Sequence, residues 1–408
     1  MSALGHIRIC DLSGQLAGAG ATRALAALGA QVIRVEDPVT KGRWDIVRQI
    51  GPFLGGGHGP DDATGFVNHN VDKLGITLNL RLERGRELLT ELIAISNAVT
   101  ENFAAGVMDR LGFGYDRLRE IRPGVVYVSN CGFGHTGPYH EFKSWGPIVQ
   151  AMSGLTHTST LPGGEPAGWG YSYMDHTGGY SMAIALLAAL HRQQRTGEGE
   201  WVDIACVEAG VAMTGPAVLD ELANGRDARD PSLSSNRSAA ATMAPHGIFP
   251  AAGDDSWVAI ACRDDADWAA LASIIDEPWA HDPALGDLPG RRHAEDRIEA
   301  SLATWTAQRD RDETVARCRA AGLPAAPVKR PVERCDDPAL IARGLWPTAT
   351  HAKHGPVRVD GLPVHLSATD WSIERAGPIL GEHNEQVLGD LLGLSGAEIG
   401  VLADEGVI

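Results

Sequence analysis

The first fifty residues alternate between short apolar runs and a glycine-punctuated segment of helical composition. Residues 6–12 have the alternating pattern of a strand, residues 21–28 have the composition of a helix, and QVIRVE at residues 31–36 returns as a second strand. A strand, a helix and a second strand at this spacing predict a parallel β-α-β unit. This is how nucleotide-binding types of fold begin.

The same alternation continues along the chain. Helices are predicted at residues 83–96 and 115–121, each followed by a strand, at 98–101 and 125–129. A long helix rich in Ala and Leu is expected at residues 179–194, and its composition indicates burial on most sides. We therefore expect an α/β protein with a large Rossmann-like, doubly wound lobe.

A second, smaller lobe is expected because single cores stop growing at about 250–300 residues and this chain has 408. Residues 223–237 shift to Asn, Gly, Asp, Pro and Ser, which is typical of a linker. The segment after it reads as strands and amphipathic helices of an α+β module. The predicted division is a large domain over residues 1–224, a small α+β domain over 225–330, a connecting arm over 331–374, and a return of 375–408 to the large domain.

The charge of the chain limits its partners. It carries 52 acidic and 35 basic side chains, and the whole acidic excess lies after residue 150. Such a surface repels nucleic acid and anionic membranes, so a polyanionic ligand would need a local basic pocket. We expect a cytoplasmic protein without nucleic-acid or membrane partners, since neither a long apolar run nor a signal-peptide pattern occurs. The six cysteines are scattered singly, and neither a metal site nor a disulfide framework is expected.

A dinucleotide-binding enzyme is one alternative for the glycine-rich turn, because Glu36 ends the second strand as in dehydrogenases. The fingerprint G-x-G-x-x-G/A can begin at Gly18 and Gly20, but Arg23 then occupies its third glycine position. Helix and strand need to pack closely there without a side chain. Two glycines alone indicate a nicotinamide enzyme only weakly, so we disfavour this alternative.

More specific motifs follow one another over about residues 9–206. They are CDLSGQLAGAGATRALAALGAQVIRVED, NVDKLGITLNL, AVTENFAAGVMDRLGFGYDRLREIRPGVVYVS, CGFGHTGPY, VQAMSG, and YSYMDHTGGYSMAIALLAAL followed by RTGEGEWVDIA. In order and spacing they resemble the family III CoA-transferases, the group of formyl-CoA and carnitine-CoA transferases, and the related α-methylacyl-CoA racemases. The resemblance implies coenzyme A as co-substrate, an acyl-CoA and a carboxylic acid as small-molecule partners, no permanently bound cofactor, and an interlocked homodimer.

The resemblance assigns the nucleophile to Asp175 in MDHTGG. A carboxylate can attack a thioester to form a mixed anhydride, and coenzyme A can then form an aspartyl-CoA thioester. Asp175 precedes a predicted helix, whose dipole favours the ionised carboxylate, and the amides of Gly178 and Gly179 are expected to hold the oxyanion. From the local pattern alone, Asp175 could instead be an N-cap and the glycines could serve packing.

The resemblance also implies a slot for the coenzyme. Its predicted lining is Leu16, Ala17, Leu78, Arg81, Asn102, Phe103, Ala104, Arg110, Phe142, Lys143, Ser144 and Trp145. The cationic members suit phosphate groups, although each could equally form a surface salt bridge. Asp37 stands where formyl-CoA transferase-like members have an arginine, and Arg43 or Arg48 could replace that contact. The glycine-run loop of formyl-CoA transferases is also missing, which argues against formyl-CoA and oxalate as the substrates.

The racemase branch remains the alternative function. It is implied to pair the aspartate with a histidine just before the VQAMSG segment, but this chain has Trp145 there. Racemisation needs two groups, one to remove a proton and one to return it. A tryptophan cannot act as that base, so we favour the transferase. The racemase stays open because four histidines lie nearby in the sequence, namely His135, His140, His157 and His176. A third alternative is a non-enzymatic regulator that binds acyl-CoA on the same fold. A roomy, partly apolar acyl pocket is expected from the residues near Asp175, which are Trp169, Tyr171, Tyr173, Met174 and His176.

Overall fold

A computed structural model describes residues 2–159, 164–226, 236–237 and 242–408. The chain divides into two compact units. Unit 1 contains Met1–Leu155, Gly168–Thr214 and Pro338–Ile408, and unit 2 contains Thr156–Ala167 and Gly215–Asp337. The linker-like segment 223–237 lies mostly outside the described residues. The boundaries drawn from the sequence therefore stay predictions about independently folding domains.

Within the described residues, the strands form three sheets. Their bounds are β1 Arg8–Asp11, β2 Gln31–Glu36, β3 Leu74–Thr77, β4 Ala98–Glu101, β5 Val126–Cys131, β6 Trp201–Ala205, β7 His246–Pro250, β8 Trp257–Ala261, β9 Ala325–Pro327, β10 Thr348–His351 and β11 Gly355–Arg358. Strands β1 to β6 make one sheet in the order β3-β2-β1-β4-β5-β6, and every pair is parallel. This is the doubly wound order of nucleotide-binding folds. The prediction of an α/β fold with a parallel sheet is confirmed.

Helices connect these strands. Their bounds are α1 Ala17–Ala27, α2 Thr64–His69, α3 Glu83–Ala94, α4 Val107–Arg110, α5 Tyr115–Ile121, α6 Gly146–Met152, α7 Leu155–Thr158, α8 Tyr173–Thr196, α9 Cys206–Met213, α10 Gly215–Asn224, α11 Asp265–Ile275, α12 Leu288–His293, α13 Glu295–Thr306, α14 Arg311–Ala320, α15 Pro331–Cys335, α16 Pro338–Ala342 and α17 Gly396–Asp404. The long helix α8 begins six residues before its predicted start. The predicted start is Gly179, but Gly178 and Gly179 are both buried within the helix, where packing outweighs the low helical propensity of glycine.

The sheet of unit 1 is buried on both faces, as a parallel sheet with helical crossovers requires. One face packs against α3 and α5 and against the C-terminal segment, which contributes Val387, Leu388 and Leu402 to that core. The other face packs against α1 and α8. The C-terminal segment thus completes the core of unit 1.

A buried ionic network lies beside β2. The Arg34 guanidinium donates to Ser13 O at 2.7 Å and to Asp45 Oδ2 at 2.5 Å. Arg48 donates through Nε and Nη2 to the two oxygens of Glu36, at 2.9 and 2.7 Å, and through Nη1 to Asp61 Oδ1 at 3.0 Å. Both arginine side chains are fully buried. These charges are stable inside the protein because each has opposite charges and hydrogen bonds around it.

Unit 2 is an α+β module. Strands β7, β8 and β9 form an antiparallel sheet, and helices α11, α13 and α14 cover one face of it. Trp268, Leu302 and Trp305 fill the core between sheet and helices. None of the described helices in either unit is both long and apolar enough to cross a bilayer.

The network predicts a large cost for losing Arg48. Arg48→Met should lower the free energy of unfolding by about 3–5 kcal/mol, because Glu36 would remain as a buried charge with one partner removed. Urea unfolding followed by tryptophan fluorescence measures this change. The matched control is Arg84→Met, which removes an exposed pair with Glu87 and Glu91 and should cost about 0–1 kcal/mol. Equal losses for the two variants would contradict the prediction.

Candidate active site

One cavity of about 310 Å³ opens in unit 1 where the carboxyl ends of the parallel strands meet. We call it the Asp175 cavity. Ligands of open α/β sheets bind at this edge, because the loops leaving neighbouring strands converge there. Its lining residues are Gln15, Ala17, Asn102, Phe103, Ala104, Ala105, Asn130, Cys131, Gly132, His140, Phe142, Lys143, Ser144, Trp145, Val149, Asp175 and Cys206.

Asp175 lies in the first turn of α8, with Ser172 as the residue that precedes the helix. Its side chain is half-buried in the wall of the cavity. Burial raises the pKa of Asp175 to about 6, and a hydrogen bond from Ser172 only partly opposes this shift. The carboxyl is therefore mainly ionised at neutral pH, yet it is more basic than a solvated aspartate.

Gly146, the first residue of α6, packs directly against this carboxylate. A Cβ atom at Gly146 would lie 3.0 Å from Asp175 Oδ2 and 2.8 Å from Ser172 Cβ. Both approaches are closer than ordinary van der Waals contacts, so a side chain there would displace the carboxylate or the start of α8. The absence of a side chain at residue 146 thus allows the first turns of α6 and α8 to meet around Asp175.

Most of the predicted coenzyme residues line the Asp175 cavity. They are Ala17, Asn102, Phe103, Ala104, Phe142, Lys143, Ser144 and Trp145. The Asn102 amide bonds both ways with the turn after β1, accepting from Gly14 N at 2.7 Å and donating to Gly14 O at 3.0 Å. This reciprocal pair joins the turn after β1 to the loop after β4. Lys143 supplies an ammonium group to the opposite wall.

Four predicted residues lie elsewhere among the described residues. Leu78 is buried in the core beyond β3, an edge strand at the far side of the sheet from β5 and β6. Arg81 and Arg110 are exposed and lie outside the lining of the cavity. Leu16 lines a smaller neighbouring pocket instead. Sequence order could not distinguish these positions, because residues a few places apart leave a strand in different directions.

The suggestion that Arg48 replaces a phosphate-binding arginine is wrong. Its side chain is fully buried, and its nitrogens donate to Glu36, Asp61 and the main-chain carbonyl of Pro378. A guanidinium with these partners is not available to an external phosphate. Arg43 is exposed and lies outside the described lining of the Asp175 cavity.

Gly178 and Gly179 lie inside α8, in its second turn. Amides at such positions donate to carbonyls one turn earlier, so the geometry does not support the oxyanion role predicted for them. The two glycines permit close packing instead. A Cβ atom at Gly178 would lie 2.4 Å from Cys206 Sγ, and one at Gly179 would lie 2.7 Å from Ala17 O.

The aromatic residues near Asp175 do not form the acyl pocket expected from the sequence. Trp169 and Tyr171 contact Tyr173, with ring centroids 4.4 and 6.0 Å apart. Met174 is buried in a small core, and His176 lines the smaller pocket beside Leu16. None of these five residues is among the described residues lining the Asp175 cavity.

Sequence reasoning missed several cavity residues at or near strand ends, and three of them are Gln15, Asn130 and Cys206. Gln15, after β1, has a left-handed backbone with φ of 59° and donates its N–H to Asp45 Oδ2 at 3.2 Å. Cys206 follows β6 and donates its S–H to Asn130 Oδ1, near the end of β5, at 3.1 Å. The rule that loops at the carboxyl ends of parallel strands converge could have identified all three.

The described residues contain no cluster of three or more His, Cys, Asp or Glu side chains that could hold a metal ion. Burial raises the pKa of the Cys206 thiol to about 12, and the nearby Asp175 charge adds to the shift. Burial likewise raises the pKa of Cys131 to about 11. Both cysteines are therefore thiols at neutral pH, and the Asp175 carboxylate is the more available nucleophile in this cavity.

Comparison with known protein families gives a match over residues 4–384 to the model described as CoA-transferase family III. The chain belongs to this family. The prediction of a family III CoA-transferase enzyme is confirmed. A similar relative is the formyl-CoA:oxalate CoA-transferase of Streptomyces coelicolor, 32% identical over 100% of this chain and 99% of that protein. Another is the acetyl-CoA:oxalate CoA-transferase of Acetobacter aceti, 33% identical over 90% of each.

A third relative is the succinyl-CoA--D-citramalate CoA-transferase of Chloroflexus aurantiacus, 30% identical over 99% of this chain and 98% of that protein. Among solved structures, a CAIB/BAIF family protein from Brucella suis is similar, with a TM-score of 0.85 and 29% identity. The similarity covers 96% of this chain and 99% of that one. The α/β architecture described above is therefore that of its family.

The raised pKa of Asp175 predicts the acid limit of any reaction that uses its carboxylate. The rate of nucleophilic attack should fall about tenfold for each pH unit below 6, because only the ionised form attacks. Measuring the initial rate between about pH 4.5 and 8, with an acyl-CoA and carboxylic acid pair that the enzyme converts, tests this, with enzyme integrity checked by circular dichroism. An acid limb near pH 4, as for a solvated aspartate, would contradict the burial argument.

Proposed function

We propose that this enzyme moves coenzyme A from an acyl-CoA donor to a free carboxylic acid through a covalent thioester on Asp175. The observation that carries the proposal is the position of this carboxylate. It lies in a cavity whose walls contain eight residues that the resemblance assigns to the coenzyme, and its pKa of about 6 leaves it ionised and nucleophilic at neutral pH.

The first half-reaction releases the donor acid. An Asp175 oxygen attacks the thioester carbonyl carbon, the C–S bond breaks, and coenzyme A leaves as a thiolate with the bonding electron pair. The product on the enzyme is a mixed anhydride. The thiolate then attacks the aspartyl carbonyl carbon, so that the donor acid departs as a carboxylate and aspartyl-CoA remains.

The second half-reaction repeats these steps in reverse order. The acceptor carboxylate attacks aspartyl-CoA, expels the thiolate and forms a new anhydride with Asp175. Attack of the thiolate on the acceptor's acyl carbon forms the new acyl-CoA and regenerates the Asp175 carboxylate. Each step exchanges one acyl bond for another, so the energy of the thioester is conserved and no oxidant or reductant is consumed.

The coenzyme is proposed to extend along the two walls of the Asp175 cavity. Lys143 is suited to a phosphate oxygen, whereas Phe103, Phe142 and Trp145 offer apolar surface to the pantetheine arm or the adenine. The similar relatives are named for oxalate and citramalate, both dicarboxylates. We infer that the acceptor of this enzyme is also a small di- or hydroxy-acid.

A racemase is the less favoured alternative, because it needs a second proton-transfer group at the substrate's α-carbon. Trp145 lines the cavity at the position where the racemase branch is implied to have its histidine. Of the described lining residues, His140 is the one imidazole, and its Nδ1 is already bonded to Gly137 O at 2.7 Å. Solvent-deuterium incorporation at the α-carbon of 2-methylacyl-CoA would favour the racemase.

A covalent adduct is the direct test of the transferase. Incubation with acetyl-CoA should add the mass of coenzyme A less one water to the chain, and peptide mapping should place that mass on Asp175. Asp175→Ala should abolish the adduct, whereas Asp390→Asn changes an exposed aspartate and should leave it unchanged. An adduct that persists in Asp175→Ala, or that never forms with acetyl-CoA or succinyl-CoA in the unmodified chain, would refute the mechanism.

We also propose a homodimer, with the interlocking of chains that the resemblance implies. Large apolar side chains are exposed on α8 of unit 1, where Ile184 is 70% and Tyr180 is 57% accessible. Burying such groups against a second copy would be favourable. Sedimentation velocity should show a dimer that Ile184→Lys shifts towards monomer, while Arg192→Glu, an exposed change further along the same helix, should not. A monomeric unmodified chain would overturn this proposal.

A further inference from the structure

Glu101 is fully buried directly behind one wall of the Asp175 cavity. It ends β4, so the next residues, Asn102 and Phe103, already line the cavity. Its Oε2 accepts a hydrogen bond from the Phe103 N–H at 2.7 Å, and its Oε1 accepts one from the Tyr127 hydroxyl at 3.0 Å. The proposed steps on Asp175 make no use of this carboxyl.

His135 approaches the same carboxyl from the loop after β5, residues 132–145. Gly132, His140 and Phe142 of this loop line the Asp175 cavity, so we call it the second wall, whereas His135 itself lines a separate groove beside Trp201. Its Nε2 lies 3.6 Å from Glu101 Oε1 and has no hydrogen-bond partner among the described residues. The ring is 8% exposed, and its main-chain N–H donates to both Asp203 carboxylate oxygens at 3.0 Å. A fixed backbone thus holds a buried, unpaired ring nitrogen facing Glu101.

The surroundings of Glu101 keep it protonated at neutral pH. Burial raises the pKa of Glu101 to about 8, although the bonds from Phe103 and Tyr127 act in the opposite direction. The titratable groups that face it are Tyr127 and Cys131 on β5, Asp109 on α4, Asp203 on β6, and His135 on the loop after β5. Burial also lowers the pKa of His135, so a neutral carboxyl meets a neutral imidazole.

We propose that Glu101 is a positioning residue that joins the two walls of the Asp175 cavity, through Phe103 on one side and His135 on the other. Its carboxyl group is the donor nearest to the unpaired His135 nitrogen, and closing the 3.6 Å gap by a few tenths of an ångström would form the hydrogen bond that the nitrogen lacks. The inference rests on the proposed CoA-transferase function, because it is the coenzyme that these walls would hold. Loss of the proton removes the link and places a negative charge behind a wall that binds a polyanion.

Direct binding of acetyl-CoA tests this role apart from catalysis. Isothermal titration calorimetry would use Asp175→Ala as the parent chain, so that the nucleophile neither titrates nor reacts. The dissociation constant of the parent should rise about tenfold from pH 7 to pH 9, because about a tenth of the molecules keep a proton one unit above a pKa of 8. Adding Glu101→Gln, which keeps a neutral donor at every pH, should hold this ratio near one.

Two further variants complete the comparison. His135→Phe keeps a ring against Trp201 but lacks the nitrogen, and it should weaken binding at pH 7 by about fivefold, as expected for one lost hydrogen bond. Glu87→Gln makes the same chemical change on an exposed side chain and should keep the pH ratio of the parent. Because the His135 variant retains both bonds of Glu101 to Phe103 and Tyr127, it also tests the link if Glu101→Gln does not fold.

The outcomes separate the two proposals. A Glu101→Gln protein with the alkaline weakening of its parent, or a His135→Phe protein that binds like its parent, overturns the positioning role while acetyl-CoA binding stands. If neither the parent nor the unmodified chain binds acetyl-CoA at pH 7, the coenzyme function itself fails and the positioning role fails with it.

Discussion

The ionic contact between Arg34 and Asp45 holds together the part of the fold on which the active site depends. Arg34 lies on the buried strand β2, and its guanidinium reaches the carbonyl of Ser13 in the turn after β1. Asp45 also accepts the N–H of Gln15, whose backbone is left-handed. A strained residue persists only where its surroundings fix it, and here two buried charges do so. Buried contacts therefore fix the conformation of the turn after β1, which contributes to the lining of the cavity.

The turn after β1 positions the loop after β4, and close packing positions the helices α6 and α8. The Asn102 amide bonds to Gly14 in both directions and so sets the loop after β4. The helices α6 and α8 then meet at Gly146, where no side chain could fit beside Asp175. Main-chain contacts and close packing thus hold the site residues in place, and the buried charged groups stabilise the turn after β1 beneath the site. An arginine buried for this purpose cannot also bind a phosphate, which is why Arg48 is unavailable to a ligand.

The alternation of strands and helices, the nucleophile candidate and most residues of the cavity walls could be predicted from the sequence, because they follow from periodicity and from continuous motifs. The sequence could not show which side chains are enclosed. Arg48 and Arg43 lie in one short segment, yet one is buried in an ionic network and the other is exposed. Nor could it show the start of α8, since tertiary packing of Gly178 and Gly179 against Cys206 and Ala17 overrides their poor helical propensity. Contacts between distant segments decide both points.

The enclosure of Asp175 also affects how strongly the carboxylate proposed as the nucleophile would react once it has lost its proton. Water stabilises the negative charge of a carboxylate less when few water molecules surround it than in bulk solvent. The affinity of such a carboxylate for electrophiles therefore rises together with its affinity for protons. The first turn of α8 thus supplies a more basic oxygen than a surface aspartate would offer. Below about pH 6 that oxygen is mainly protonated. The burial that would strengthen an attack by Asp175 would therefore also narrow the pH range in which the attack could occur.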